Sequence, residues 1–368
     1  MSRLKVASFF SGCGGSDLGI IGGFDYLSKN YPTLPFEIVY AIDNDKYAVE
    51  TYNQNFKHPA VLDDIKNIDK NSIPEFDILI GGFPCQSFST VNPTKDTNDE
   101  RANLYKELVE IVNLRKPDYF VLENVKGLTT LQKGAILKRV KKDFTDAGYK
   151  VKHKILLAAN YGIPQKRERV FIIGIKNEIK TEYNYPIETH TENNWEPLKS
   201  VIDSLIPPDE KFYFSERAVQ GMKNAKKNMK RGLYQDLNKP CLTITSHLAK
   251  TSLNSRDPVL LVNPEEELYR RFTPREAARI QSFPDGFDFP VSDTQAYRQI
   301  GNAIPPVLMW HVMKSLSESI NSTEKPTLKS HTHLQFATAN AKPKIEKEYV
   351  FANAEKQVDE KKPVYNNV

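Results

Sequence analysis

The first half of this chain alternates short apolar runs with helical patterns, and that rhythm limits what it can fold into. Leu4 to Phe10 reads as a first strand, followed by a glycine-rich turn and a short helix from Ser11 to about Gly22. Glu37 to Ile42 reads as a second strand, and a helix from about Lys46 to Phe56 follows, with Asp45 as its N-cap. Phe76 to Ile80, Tyr119 to Leu122, Val151 to Leu157 and Val170 to Ile175 read as further strands, with a helix at about Leu104 to Arg115 between the first two. Strand and helix in alternation argue for a mostly parallel sheet covered on both faces, so the fold class is α/β. In such a sheet functional groups collect where strands end and loops begin.

The rhythm breaks near Lys176. From there to about Val262 the chain is richer in Pro, Asn and Lys, with short β-like pieces such as Cys241 to Thr245. Helical patterns return at Pro274 to Gln281, where Arg275, Glu276 and Arg279 at helical spacing are expected to tie the small domain to the large one, and from about Pro306 to Ser317. The expected organisation is a first domain over 1–178 completed by 296–321, a smaller second domain over 179–295, and a polar tail over 322–368 too poor in apolar residues to fold.

No apolar run approaches membrane-spanning length, and the patch from Val6 to Phe10 is too short for a signal peptide, so a cytoplasmic location is expected. Cys13, Cys85 and Cys241 lie far apart, which suggests neither a disulfide framework nor a metal cluster and fits a reduced compartment with one reactive thiol. The net charge of +5, from 51 basic and 46 acidic residues, is compatible with a nucleic-acid partner. Two basic runs stand out, Lys138 to Lys142 and the set Lys223, Lys226, Lys227, Lys230 and Arg231; by themselves they read as solvated helix faces.

Phe10-Ser11-Gly12-Cys13-Gly14-Gly15 lies at the end of the first strand, where glycines let the backbone approach a ligand closely. A dinucleotide-binding G-x-G-x-x-G fails because Asp17 stands at its third glycine. Asp43 ends the second strand, where an acid can accept from ribose hydroxyls, and Asp64 is placed to accept from an adenine amino group. Pro84-Cys85-Gln86 follows the strand at Phe76 to Ile80, Glu123 ends the strand at Tyr119 to Leu122, and Arg167 and Arg169 precede the strand at Val170 to Ile175.

In their order these motifs, with Glu123-Asn124-Val125, Gln165-Lys166-Arg167-Glu168-Arg169, Arg271 to Arg279 and Gln299-Ile300-Gly301-Asn302-Ala303, resemble the cytosine-5 DNA methyltransferase family in its bacterial type II restriction-modification branch. The resemblance runs from about Lys5 to Ser315. It implies a Rossmann-like methyltransferase sheet with a smaller target-recognition domain, S-adenosylmethionine as cofactor, double-stranded DNA as substrate, a monomeric enzyme, and a functional pairing with a restriction endonuclease. Carried over residue by residue, it implies cofactor contacts from Phe10, Gly12, Gly14, Gly15, Asp43, Asn44, Asp64, Ile65, Gly82, Pro84, Leu104 and Asn302. Asn44 departs from the aromatic residue that many members carry there to stack on the adenine.

The resemblance also implies a mechanism. The Cys85 thiolate would add to cytosine carbon 6, Glu123 would donate to ring nitrogen 3, and Arg169 would bind the ring carbonyl, with Arg167 a second candidate that could instead orient the loop. Carbon 6 is hidden inside a duplex, so the base must be extruded. Gln86, Ser89 and Arg101 would contact the DNA from a mobile loop, joined by Lys226, Lys227, Lys230 and Arg231 at phosphates and by Thr243, Thr245, Ser246 and His247 at base edges. A strand over Cys241 to Thr245 would set both threonines on one face. Two rival readings keep the same core: a tRNA cytosine methyltransferase, whose Cys-Phe-Thr signature is missing, and a silent DNA-binding member, which would lack the nucleophile.

Overall fold

A computed structural model of the chain describes residues 3–84, 104–203, 209–225, 234–250 and 258–324. Seven strands form the main sheet: β1 (Leu4–Phe9), β2 (Phe36–Asp43), β3 (Val61–Leu62), β4 (Ile78–Gly81), β5 (Tyr119–Val125), β6 (Tyr149–Leu157) and β7 (Glu168–Lys176). Their spatial order is β3-β2-β1-β4-β5-β7-β6. The pairs from β3 through to β5 are parallel, whereas β7 runs antiparallel to both β5 and β6. The mostly parallel α/β sheet expected from the alternation is therefore present. The reversed strand was not visible in the apolar pattern, which carries no direction.

Eight helices accompany the strands among the described residues: α1 (Gly15–Ile21), α2 (Lys46–Asn55), α3 (Leu104–Arg115), α4 (Ala135–Asp146), α5 (Glu216–Ala225), α6 (Pro274–Ile280), α7 (Asp293–Asn302) and α8 (Pro306–Glu324). Alternation along the strands sends successive side chains to opposite faces. Val6, Ile78, Ile80, Val121 and Ile173 join one core with Ile20 of α1 and Val307, Leu308 and Val312 of α8. Ala7, Leu79, Phe120, Leu122 and Ile172 join the other with Leu108 and Ile111 of α3 and Val140 and Phe144 of α4. The basic run Lys138 to Lys142 is the outer face of α4, with Val140 its inward member, as the solvated-face reading has it. None of the described helices is long and apolar enough to cross a membrane.

A third apolar cluster gathers Leu198, Phe212, Cys241, Ile244, Leu260, Phe272, Ile280, Tyr297 and Ile300 with Cys13. Two expectations in this region are corrected. The strand at Cys241 to Thr245 is only Cys241–Leu242, paired parallel with Gln165–Lys166, because side-chain bonds take over beyond it. The side chains of Arg275, Glu276 and Arg279 do not tie the small region to the sheet but bond within residues 203–287: Arg275 to the carbonyls of Pro284 and Phe287, Glu276 to Arg270, and Arg279 to Asp203 and Asp285. Ties to the sheet region include Tyr26 Oη to the Arg279 carbonyl (2.7 Å), Asn55 paired with the Asp288 backbone, and Gln299 Nε2 to the Tyr47 carbonyl (2.9 Å).

Candidate active site

The carboxyl ends of β1, β2, β3, β4 and β5 lie along one edge of the sheet, and the strand order reverses between β1 and β4, the usual place for a ligand crevice. The chain leaves β1 through Phe10, whose φ of 55° is left-handed, and passes Gly12 at 56° and Gly14 at 93° before entering α1. A β-carbon on Gly14 would stand 2.2 Å from the Phe56 ring, so only glycine lets α2 lie this close. The Gly12 amide donates to Asp43 Oδ2 (2.8 Å), and Asp43 Oδ1 accepts from the Asp45 amide (2.9 Å). Burial pushes the Asp43 carboxyl up, and those two amides oppose the shift. The Asp63 amide bonds the Asp43 carbonyl (3.2 Å), which brings Asp64 and the buried Ile65 to the same edge. Asp45 caps α2, as expected, by accepting from the Tyr47 amide (3.0 Å).

Other loops close on this turn. A β-carbon on Gly15 would meet the Ile304 carbonyl at 2.7 Å, and one on Gly82 would lie 3.7 Å from both Ile304 Cδ1 and Glu123 Oε2. Asn302, exposed at the end of α7, thus sits two residues from the contact between the glycine turn and the loop after β4. Asn44 and Pro84 are exposed, and Leu104 is half-buried at the start of α3. The turn fits a nucleoside-type cofactor on two observations. Space is open where a Gly12 β-carbon would stand, and Ser11 Oγ is buried with no hydrogen-bond partner.

Glu123, on β5, pairs with Arg169 at the start of β7: Oε1 to Nε is 2.9 Å. The antiparallel register makes this possible, with Phe171 opposite Glu123 and Arg169 opposite Val125. A parallel β7 would carry Arg169 to the far end of the strand pair, roughly 20 Å away at about 3.3 Å per residue. Burial raises the Glu123 carboxyl, against the pull of Arg169 and Arg167. Arg169 Nη1 also donates to the Glu168 carbonyl (2.8 Å). Arg167 is 1% exposed, and its guanidinium donates to the carbonyls of Ile244 (3.1 Å), Gly301 (3.0 Å) and Ala303 (3.0 Å). That commitment favours its loop-orienting role over a contact with substrate.

Thr243 Oγ1 donates to the Lys166 carbonyl (2.8 Å), and Thr245 Oγ1 accepts from the His247 amide (3.1 Å), so neither hydroxyl hangs from a regular strand. A β-carbon on Gly301 would come within 2.2 to 2.3 Å of the Thr245–Ser246 backbone. Two residues without an assigned role in the sequence reading organise the site. Asn124 Nδ2 holds the Phe83 carbonyl at 2.8 Å, fixing the chain two residues before Cys85. Gln165 uses both ends of its amide, accepting from the Ile244 amide (3.1 Å) and donating to Gln281 Oε1 (2.6 Å). Both stand inside motifs already noted, but a motif does not say which carbonyl a side chain will find. Cys85, Gln86, Ser89, Arg101, Lys226, Lys227, Lys230 and Arg231 lie outside the described residues. The other two cysteines are buried, with Cys13 pushed up to about 12 and Cys241 also pushed up, both mainly by desolvation.

An open sheet of this order, with a glycine turn and acids along its carboxyl edge, belongs to the nucleoside-cofactor class of α/β enzymes. Comparison with known proteins narrows the class. The family model for C-5 cytosine-specific DNA methylases matches residues 4–318. The Type II methyltransferase M.NlaX of Neisseria lactamica is 35% identical over 308 residues, covering 82% of this chain and 92% of its own. The Type II methyltransferase M.FnuDI of Fusobacterium nucleatum is 32% identical over 346 residues, covering 88% and 96%. The Dnmt2 methyltransferase of S. pombe superimposes with a TM-score of 0.68 at 20% identity, covering 88% of this chain and 100% of that one, a likeness of fold. The chain belongs to the C-5 cytosine-specific DNA methylase family and is a DNA cytosine-5 methyltransferase, an enzyme that requires a methyl donor.

Proposed function

We propose that the protein methylates carbon 5 of one cytosine within a short recognition sequence in double-stranded DNA, using S-adenosylmethionine, as the modification partner of a restriction endonuclease. The observation that carries this reading is the Glu123–Arg169 pair beside Gly82, on the edge that also bears the glycine turn. When bound, S-adenosylmethionine would supply an electrophilic methyl group. The residues that would hold it are those around the turn: Phe10, Gly12, Asp43, Asp64, Gly82 and Asn302.

Cys85 is the nucleophile in this reading, since Cys13 and Cys241 are buried thiols with raised pKa. Its thiolate adds to carbon 6 of an extruded cytosine. Glu123, whose buried carboxyl holds a proton more readily than an exposed one, donates to ring nitrogen 3 and so spreads the charge that reaches carbon 5. Arg169 is fixed by Glu123 and reaches the ring carbonyl oxygen. Carbon 5 then accepts the methyl group, its proton leaves, and expulsion of the thiolate restores the aromatic ring. Residues 179–295 serve as the target-recognition domain on the catalytic domain of 1–178 and 296–321, with Thr243, Thr245 and Ser246 at base edges. The enzyme works as a monomer in the cytoplasm.

Duplex DNA with 5-fluorocytosine at the target carries fluorine in place of the carbon 5 proton that must leave, so it should form a denaturation-resistant adduct with the wild-type protein. Trapping by a Cys85→Ala variant would remove Cys85 from this role. Bisulfite sequencing of DNA from cells expressing the protein reads the recognition sequence directly, and the absence of any protected cytosine would overturn the reading as a whole.

A further inference from the structure

We propose that Asp17 is a positioning residue for the methyl donor: its buried carboxylate gathers hydroxyls from three elements and so fixes the glycine turn from Phe10 to Gly15. The inference rests on the reading of that turn as the donor site. Asp17 is the residue that breaks the dinucleotide-binding glycine pattern.

Asp17 is fully buried in the first turn of α1. Its Oδ1 accepts from Ser8 Oγ on β1 (2.7 Å) and from its neighbour Ser16 Oγ (3.0 Å), and its Oδ2 accepts from Tyr52 Oη on α2 (2.8 Å). No Lys or Arg pairs with it among the described residues; the three hydroxyls, with His58 acting at longer range, oppose the burial that raises its carboxyl. A carboxylate is costly to bury unless its lone pairs are met in this way. The three donors bracket the turn. Ser8 lies two residues before Phe10, Ser16 follows Gly15, and Tyr52 stacks on Phe56 with ring centroids 4.4 Å apart. Phe56 in turn lies against Gly14, where a β-carbon would clash.

The turn needs such a clamp. Phe10 is a bulky residue held at a φ of 55°, a conformation that persists only where the surroundings over-determine it. On its open side the turn is held by Gly12 to Asp43 and by the Ser11 amide to the Ile42 carbonyl (3.0 Å). On its closed side the described side-chain hydrogen bonds run through Asp17. Releasing that side lets Phe10 relax and shifts Gly12 relative to Asp43, the two groups placed to meet the donor. Asp17 touches neither donor nor DNA in this scheme, so its effect is on donor affinity rather than on the chemical step.

The test is calorimetric titration of the full-length protein with S-adenosylhomocysteine, a probe that cannot transfer a methyl group. Asp17→Asn should weaken binding about tenfold, as expected for loss of hydrogen bonds to a charged group. Ser8→Ala and Tyr52→Phe, which keep the carboxylate and remove one donor each, should weaken it roughly three- to tenfold. Combining Asp17→Asn with Tyr52→Phe should cost no more than Asp17→Asn alone, because the two act as one unit. The KM for S-adenosylmethionine should rise in step, while kcat at saturating donor and DNA affinity change less than about threefold. Unchanged probe affinity in Tyr52→Phe and Ser8→Ala, even with a lowered Tm, would make the clamp structural only and overturn the proposal. Should Asp17→Asn fail to fold, those two variants decide. Gly12→Val separates the underlying reading, since it fills the open side of the turn and should abolish probe binding. If it bound the probe like the wild type, the turn would not be the donor site, and the role given to Asp17 would fall with it.

Discussion

Two arginine–glutamate pairs in this chain differ in what they leave over. Arg270 and Glu276 are 4% and 1% exposed and meet through two parallel bonds of 2.7 Å. Glu276 also accepts from the Thr273 amide at 2.9 Å, closing a capping box at the start of α6, where Pro274 follows the cap. Each group of that pair is answered from within. Glu123 and Arg169 are each 12% exposed and meet through the Nε–Oε1 contact at 2.9 Å, with Glu123 Oε2 facing Gly82. The closed pair fixes one helix. The open pair leaves Glu123 Oε2 toward Gly82, on the edge that also bears the glycine turn. Incomplete pairing, rather than the presence of charge, is what marks a site able to receive a polar ligand.

The comparison breaks first at Glu123. Glu123→Gln keeps the shape and the acceptor toward Arg169 but loses the transferable proton. Single-turnover methylation should fall by about 10²- to 10⁴-fold, the usual worth of a general acid, while DNA affinity stays near that of the wild type. A rate within a few-fold of wild type would remove Glu123 from the proton transfer. Next comes the closed pair. Arg270→Ala leaves the Glu276 carboxylate buried and unpaired, and should cost about 3–5 kcal/mol in denaturant unfolding. The protein that remains folded should methylate at a near-normal rate. A stability loss under about 1 kcal/mol would show the pair to be wetter than its burial implies.

Acid sharpens the comparison, because a third, half-buried group must be told apart from the two pairs. His311 lies among Tyr31, Tyr161 and Trp310, and burial holds its imidazole down at about 4 against an ordinary 6.5. The folded state therefore favours the neutral ring. Its contribution is fully present above pH 6.5 and is lost as pH falls toward 4, about 3 kcal/mol in all from the difference between those two values. His311→Phe should flatten the unfolding free energy across that window. An identical slope in the variant would assign the acid loss to other groups.

What the sequence made legible follows from physics that is local. β1, β2 and α2 could be read because apolar period, N-cap and glycine turn are written within a few residues of one another, as Asp45 shows at the head of α2. The order of motifs along the chain also placed Glu123 and Arg169 on one edge. The unread parts depend on distant partners. The hairpin Phe24–Tyr26 with Lys29–Tyr31 is too short to show a period, and it is held by Tyr31 against Trp310 and by Tyr26 against the Arg279 carbonyl. α7 ends in Gly301-Asn302, which reads as a turn, yet Ala296, Tyr297 and Ile300 carry it as a helix against the third core. The strand expected through Thr245 stops at Leu242 because Gln165 takes the Ile244 amide and Lys166 takes the Thr243 hydroxyl. Local periodicity cannot foresee a glutamine 79 residues away.

The contact at Gly301 bears on how a chain like this could change its target. There the backbone of α7 rests directly on the peptide between Thr245 and Ser246, with no side chain interposed. Side chains along the neighbouring segment can be exchanged without touching this contact, but the path of that one peptide is set by the core. On the proposed reading of Thr243, Thr245 and Ser246 as base-edge contacts, a segment grafted in their place should work only if its backbone follows the same curve at that point.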